Sequence, residues 1–227
     1  MVKGLKWWAW LLVGVLIGVI ISSSIFYFPT TLESSARIDY VGLIELTGSI
    51  AYSESPLTLF SGDVLTPKDV ESLVNQASRD PTIKAVVLVI NSPGGSAAAS
   101  EEIYNILKKL SNEKVVVSYI TEYGASGGYY IALPSREIIA SPHALTGSVG
   151  AVSIVINYKE LMDKLGIKAE TFKSGRLKDI GSAWRDLTDE EKNLMMSMIN
   201  DIADVFKERV KEHRGNKIRD YNEVFTA

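Results

Sequence analysis

The chain contains no cysteine. That absence excludes disulfides, thiolate metal sites and a cysteine nucleophile together, and it leaves the redox compartment open. No basic block occurs anywhere in the 227 residues, and the formal net charge is −3. The chain therefore lacks the electrostatic footprint that nucleic-acid binding requires. Histidine is scarce, so His143 and His213 are the only imidazoles available for acid–base work. Internal repeats and low-complexity tracts are missing as well.

What is present is an apolar excess, 46% hydrophobic against 22% charged residues, on a chain long enough for one sizeable domain or two small ones. The excess sits at the front. From Trp7 to Phe28, "WWAWLLVGVLIGVIISSSIFYF", 22 residues pass without a charge. A helix of that length spans about 33 Å, enough for a bilayer core. Trp7, Trp8 and Trp10 mark one interface and Tyr27 the other, while Lys3 and Lys6 precede the run and the first acid is Glu33. This pattern predicts a single-pass anchor in the cell membrane, with residues 1–6 cytoplasmic and everything after residue 30 extracytoplasmic. A cleaved signal peptide, processed at "SSA" (34–36), is the alternative; the uncharged run is long for one. Lys3 and Lys6 are the only charges before residue 29, so the remainder carries −5. Residues 29–37 read as a linker and 38–227 as an acidic domain.

Within that domain short β-branched runs alternate with helical patterns. "RIDYVGLIELTG" reads as a strand, and "TPKDVESLVNQASRD" as a helix capped by Thr66, with Pro67 first and Val70, Leu73, Val74 and Ala77 on one face. "IKAVVLVI" reads as a strand buried on both faces of a parallel sheet. A helix over "SAAASEEIYNILKKLSN", a strand over "KVVVSYI" and a helix opening at Ser126 follow. "REIIASP", "GAVSIVIN" and "IKAETFK" are further strand candidates, and "YKELMDKLG" is a helix ended by Gly166. The alternation predicts an α/β fold with a mainly parallel sheet. Thr188 and Glu191 form a capping box for the last long helix, whose stripe of Leu194, Met195, Met198, Ile202, Val205 and Phe206 serves either core or partner; Gly215 is its expected terminator.

In parallel sheets functional groups gather beyond the carboxyl ends of the strands. Two strands here end in notable loops, "NSPGGS" (91–96) and "TEYGASGG" (121–128). The first offers glycines whose backbone N–H groups can approach a ligand. The second sets Ser126 at a helix N-terminus beside the Gly127 N–H. A hydroxyl facing convergent backbone donors is the minimum for acyl transfer through an oxyanion hole. Both loops are also compatible with ordinary turns. "GASGG" fits the nucleophile-elbow pattern, which would make His213 the base of a triad, but that histidine falls in the polar last turn of a long helix; His143 has no evident acid to orient it. A neutral lysine can replace histidine if burial brings its pKa from about 10.4 to about 7. "KSGRLKDIGS" (173–182) offers Lys173 and Lys178, and Asp179 beside Lys178 argues against a neutral amine there.

Taken in order after a single N-terminal anchor, "INSPGGS", "YGASGGYYIA", "ASPHALTGSVGAV" and "KSGRLKDIGS" resemble the signal peptide peptidase A family, over roughly residues 38–227. The resemblance implies a membrane-bound serine peptidase with a Ser-Lys dyad on the fold shared by ClpP and the crotonases. It implies Ser126 as nucleophile, Lys178 as general base, Ser148 as the hydroxyl that orients the lysine, and Gly95 and Gly127 as the two oxyanion donors. The implied substrates are signal-peptide remnants in the membrane, cut with no metal, nucleotide or other cofactor. The implied assembly is a homo-octamer in which serine and lysine of one site come from neighbouring protomers. Family members carry a further C-terminal stretch past the point where this chain stops at "NEVFTA", so a truncated end is expected. Rival readings are a related peptidase that cuts stomatin-like membrane proteins, a crotonase-type acyl-CoA enzyme, and a non-catalytic scaffold. The loops carry no evident acidic pair for the crotonase reading.

Overall fold

The computed structural model describes residues 11–12, 14–19, 22, 38–53 and 63–225. The anchor expected over 7–28 lies largely outside them, and the linker over 29–37 wholly so. Leu11, Leu12, residues 14–19 and Ser22 are helical; among the described residues no helix is long and apolar enough to cross a membrane. The architecture below is that of the unit Asp39–Ala227.

In chain order the elements are β1 (Tyr40–Thr47), β2 (Ser49–Ile50), β3 (Val64–Leu65), α1 (Pro67–Arg79), β4 (Ile83–Ser92), α2 (Ala97–Glu113), β5 (Val115–Ala125) and α3 (Gly127–Ala132). Then come β6 (Glu137–Ala140), β7 (Leu145–Gly147), α4 (Lys159–Lys164), α5 (Asp189–Arg214), a 3₁₀ turn at Gly215–Lys217 and α6 (Tyr221–Phe225). The main sheet runs β1-β4-β5-β6, with β7 pairing the far end of β5, and every pairing is parallel. β2 and β3 make a separate parallel pair.

Helix boundaries follow local chemistry. The Thr66 hydroxyl accepts the Asp69 N–H at 3.2 Å and Pro67 takes the first position of α1, where its missing N–H costs nothing. Val70, Val74 and Ala77 then face the core, with Leu73 at the rim. α2 buries Ala99, Ile103, Leu107 and Leu110, one helical face laid on the sheet. In β4, Val86, Leu88 and Ile90 are fully buried against this helical layer. The expectation that this strand is buried on both faces fails on the other side. Ala85, Val87 and Val89 are only half covered, and Val41, Leu43, Tyr119 and Ile139 beside them are exposed. Among the described residues the helices cover one face of the sheet only.

A second cluster joins α2, α3 and α5 through Tyr104, Tyr130, Leu133, Val149, Phe206 and Val210. Tyr130 sits edge-on to Phe206, ring centroids 4.8 Å apart, and tilted against Tyr104 at 5.2 Å. The expected capping box of α5 is present in both directions: Glu191 N–H to the Thr188 hydroxyl, and Thr188 N–H to the Glu191 carboxylate. Its stripe divides. Phe206 is buried, whereas Leu194, Met198, Ile202 and Val205 are each 39–55% exposed. Gly166, at φ +69°, ends α4 as expected. Gly215 caps the end of α5 as expected, though at φ −51° it is not left-handed and leads into the 3₁₀ turn.

"REIIASP" supplies β6. The strands expected at "GAVSIVIN" and "IKAETFK" are not formed: residues 151–157 and 167–173 have no regular structure. Val152 and Ile154 are each 81% exposed and Phe172 92%. A strand is completed by a neighbour's hydrogen bonds, and among the described residues none pairs with these segments.

Candidate active site

β5 ends at Ala125 and α3 begins at Gly127, so Ser126 must turn the chain in a single residue. It does so at φ +52°, ψ −122°, a conformation disfavoured for any residue with a Cβ. Three backbone bonds hold it there. The Ser126 N–H donates to the Gly147 carbonyl at 2.8 Å, and the Ser126 carbonyl accepts from Tyr129 and Tyr130 at 3.0 and 2.9 Å. The hydroxyl caps nothing in α3. It is thus free to act elsewhere.

The glycine loop after β4 closes on this turn. A Cβ on Gly94 would lie 2.6 Å from the Gly127 nitrogen and 2.9 Å from the Ser126 Cβ; one on Gly95 would lie 2.1 Å from the Ile50 carbonyl oxygen. Only glycine admits such approach. Ile50 donates to the Gly94 carbonyl at 2.9 Å and accepts from the Ser96 N–H at 2.8 Å, pinning the loop on both sides of Gly95. Among the described residues the Gly95 N–H has no acceptor. The Gly127 N–H, first in its helix, has no acceptor within it. Ser126, Gly95 and Gly127 all line one cavity of about 590 Å³.

The rest of that cavity is built from residues the sequence did not single out for chemistry. Ala97, Ala98, Ala151 and Val152 line it with Ile199, Ile202, Val205 and Phe206, an apolar wall contributed largely by α5. Glu101 and Tyr130 supply a polar corner. The Glu101 carboxylate accepts from the Tyr130 hydroxyl, from Arg209 Nη2 at 3.1 Å and from Asn105 Nδ2 at 3.2 Å. Burial, and then the bond to Glu101, push the Tyr130 phenol well above its ordinary range, so it remains a protonated donor. No sequence signal marks these side chains, because they converge only when α2, α3 and α5 pack.

The other expected site residues are placed differently. β7 pairs β5 with Ala125 opposite Gly147, so Ser148 leaves its strand beside Ser126; it too has positive φ, +51°. Ser148 is exposed and does not line the cavity. Lys178 lies in the turn 176–181, its N–H bonded to the Gly175 carbonyl at 3.2 Å. It does not line the cavity either, and among the described residues its amine makes no hydrogen bond or ion pair. Lys173, the competing base, is occupied: its amine meets Asp179 Oδ1 at 2.6 Å and the Arg176 carbonyl at 3.0 Å. Arg185 grips the same Asp179 through Nε (2.8 Å) and Nη2 (2.9 Å), and reaches Glu191 at 2.8 and 2.5 Å. Arg185 first, and Lys173 with it, hold the Asp179 carboxyl far below the usual range. Arg185 and the Thr188 N–H bring Glu191 down to about 2. Of the histidines, His143 is exposed in the turn before β7. His213 Nε2 lies 2.8 Å from the Tyr104 hydroxyl, with burial lowering its pKa. Neither lines the cavity.

Comparison with known proteins adds an independent line. The model of peptidase family S49 matches residues 108–226, and the Clp protease model matches residues 64–148. The MJ0651 protein of Methanocaldococcus jannaschii is 41% identical over 143 residues, covering 63% of this chain and 46% of its own. Serine protease SPPA of the Arabidopsis thaliana chloroplast is 28% identical over 86% of this chain and 29% of its own, and Protease 4 of Salmonella typhi is 32% identical over 78% and 28%. The chain thus spans less than half the length of these curated relatives. Among solved structures, ClpP1 of Listeria monocytogenes aligns over 81% of this chain and 76% of its own at 16% identity, with a TM-score of 0.44.

Proposed function

The chain belongs to peptidase family S49, and on that premise we propose that it is a membrane-anchored serine endopeptidase that hydrolyses signal-peptide remnants through a Ser126–Lys178 dyad. The observation that carries the reading is the strained, uncapped Ser126 on a cavity wall shared with the unpaired Gly95 N–H and the Gly127 N–H.

The chemistry follows from that arrangement. The neutral Lys178 amine takes the Ser126 proton as Oγ bonds to the peptide carbonyl carbon. The carbonyl oxygen becomes an oxyanion held by the Gly95 and Gly127 N–H groups, a term worth about 3 kcal/mol per donor. The lysine then passes its proton to the departing amine, leaving an acyl-serine. Water, deprotonated by the same amine, attacks the ester and releases the acid. Ser148, one step beyond the strand pairing that anchors Ser126, is the hydroxyl assigned to orient the amine.

Lys178 does not line the Ser126 cavity, and the octamer the family resemblance implies would supply the lysine from a neighbouring copy. The exposed Ile154 and Phe172, with Leu194 and Met198 of α5, lie outside the cavity wall and supply apolar surface for such an assembly. The alanine, valine and isoleucine wall fits an extended peptide with small or apolar side chains, as the core of a signal peptide offers. The anchor over 7–28 would hold the domain on the extracytoplasmic side, beside such substrates.

Incubation of the full chain with a synthetic signal peptide, with cuts mapped by mass spectrometry, tests the reading. Wild type should cut within the apolar segment, and Ser126→Ala and Lys178→Ala should each leave it whole. Equal cutting by wild type and Lys178→Ala would remove the lysine from the mechanism.

A further inference from the structure

A lysine base works only as the free amine, and an unengaged carboxylate beside it favours the ammonium instead. Asp179 follows Lys178 directly in sequence, yet its carboxylate is turned into a cage. Both of its oxygens are held by the Arg185 guanidinium and one also by the Lys173 amine, at 2.6 to 2.9 Å. The side chain of Asp179 is only 9% exposed, and Arg185 is fixed from behind by Glu191, 2% exposed and itself locked in the α5 capping box. The Ser182 hydroxyl and Arg185 Nη2 both donate to the Asp179 carbonyl, at 2.5 and 3.2 Å, tying down the backbone of the same turn. The Lys178 amine stands apart from all of this.

We propose that Arg185, assisted by Lys173, is a positioning residue for the base: it sequesters the Asp179 carboxylate so that the adjacent Lys178 amine stays unpaired and able to accept the serine proton. The inference rests on Lys178 being the base, as proposed above. The remaining charged groups around the turn are engaged elsewhere. Arg176 pairs with Glu190, Asp186 accepts from Asn157 at 2.8 Å, and Lys192 pairs with Asp189. Asp179 is thus the carboxylate that loss of Arg185 would release beside Lys178. A purely structural clamp between this turn and α5 would hold the loop equally well, but it would not govern the protonation of Lys178.

The test is the pH profile of kcat/KM on an apolar peptide ester, for the full chain carrying Arg185→Met, Lys173→Met, or Arg185→Met with Asp179→Asn. Circular dichroism melts confirm that each variant is folded. Arg185→Met should move the midpoint of the rising limb to higher pH by about 1 unit or more, with about a tenfold lower rate at neutral pH. Lys173→Met, which leaves the Arg185–Glu191 contact intact, should shift it in the same direction by less. Adding Asp179→Asn to Arg185→Met should return the midpoint to that of wild type. A uniform loss of rate with an unmoved midpoint in both folded single variants would overturn the proposal. So would a shift that Asp179→Asn does not reverse. Lys178→Ala is run alongside: full turnover there would sink the dyad itself, whereas an inactive Lys178→Ala with unmoved Arg185 and Lys173 midpoints would sink only the role of Arg185.

Discussion

At the scale of single residues, the site is made by backbone conformations that most side chains refuse. Ser126 holds φ +52° with a Cβ attached, and such strain costs on the order of 1–3 kcal/mol. Glycine would relieve it. Ser126→Gly and Ser126→Ala should both lose hydrolysis and labelling by a serine-directed fluorophosphonate, while the glycine variant melts higher than the alanine variant, by the equivalent of about 1 kcal/mol. Equal melting temperatures would mean that the turn stores no strain. Gly94 makes the complementary point. At φ +94°, and with the Gly127 nitrogen 2.6 Å from where a Cβ would sit, Gly94→Ala must push the proposed oxyanion donors away from Ser126. Its kcat should fall by about 10²–10³, the cost of losing such a donor, with KM changed little; a rate within twofold of wild type would place the oxyanion hole elsewhere.

At the scale of elements, stability and site geometry meet at the start of α5. Glu191 closes the capping box and receives Arg185, and both contacts need its carboxylate ionised. Its folded pKa of about 2 lies below the ordinary 4.5, so this contribution is complete above pH 4.5 and disappears as the pH falls toward 2. The melting temperature should therefore drop across that window, with Asp179 adding to the fall. Glu191→Gln should lower stability at pH 7 and flatten the acid limb, and an acid limb as steep as that of wild type would assign the transition to other carboxylates. How far these elements can be read from the sequence depends on the range of the forces that make them. The caps at Thr66 and Thr188 and the buried face of α1 are written within four residues, and they stand where the pattern puts them. Residues 151–157 alternate like a strand, but strand formation depends on a partner that alternation does not supply. β7 has no signature in the sequence, because three residues are too few for a pattern. Ser126 and the glycine loop were legible because a turn of that kind admits few residue types. The wall from Ile199 to Phe206 was not, since nothing local relates it to position 126. Asp179 weighed against Lys178 in the sequence for the same reason: its engagement with Arg185 and Lys173 is visible only in space.

At the scale of the whole molecule, the unsatisfied features share one remedy. Among the described residues one face of the sheet is uncovered, the segment around Val152 and Ile154 pairs with no strand, and four of the six α5 stripe residues are exposed. The Ser126 cavity meanwhile lacks Lys178 on its wall. On the proposed function, a neighbouring copy that covers apolar surface and brings a lysine would answer these together, and the protomer alone would be inactive. The most direct measurement is complementation: Ser126→Ala and Lys178→Ala protomers are co-expressed, purified as one assembly and assayed on an apolar peptide. If each site draws its serine and its lysine from different protomers, random mixing restores about a quarter of wild-type activity from two inactive parents. Activity no higher than that of either variant alone, in assemblies shown to contain both, would contradict a site completed across the subunit boundary.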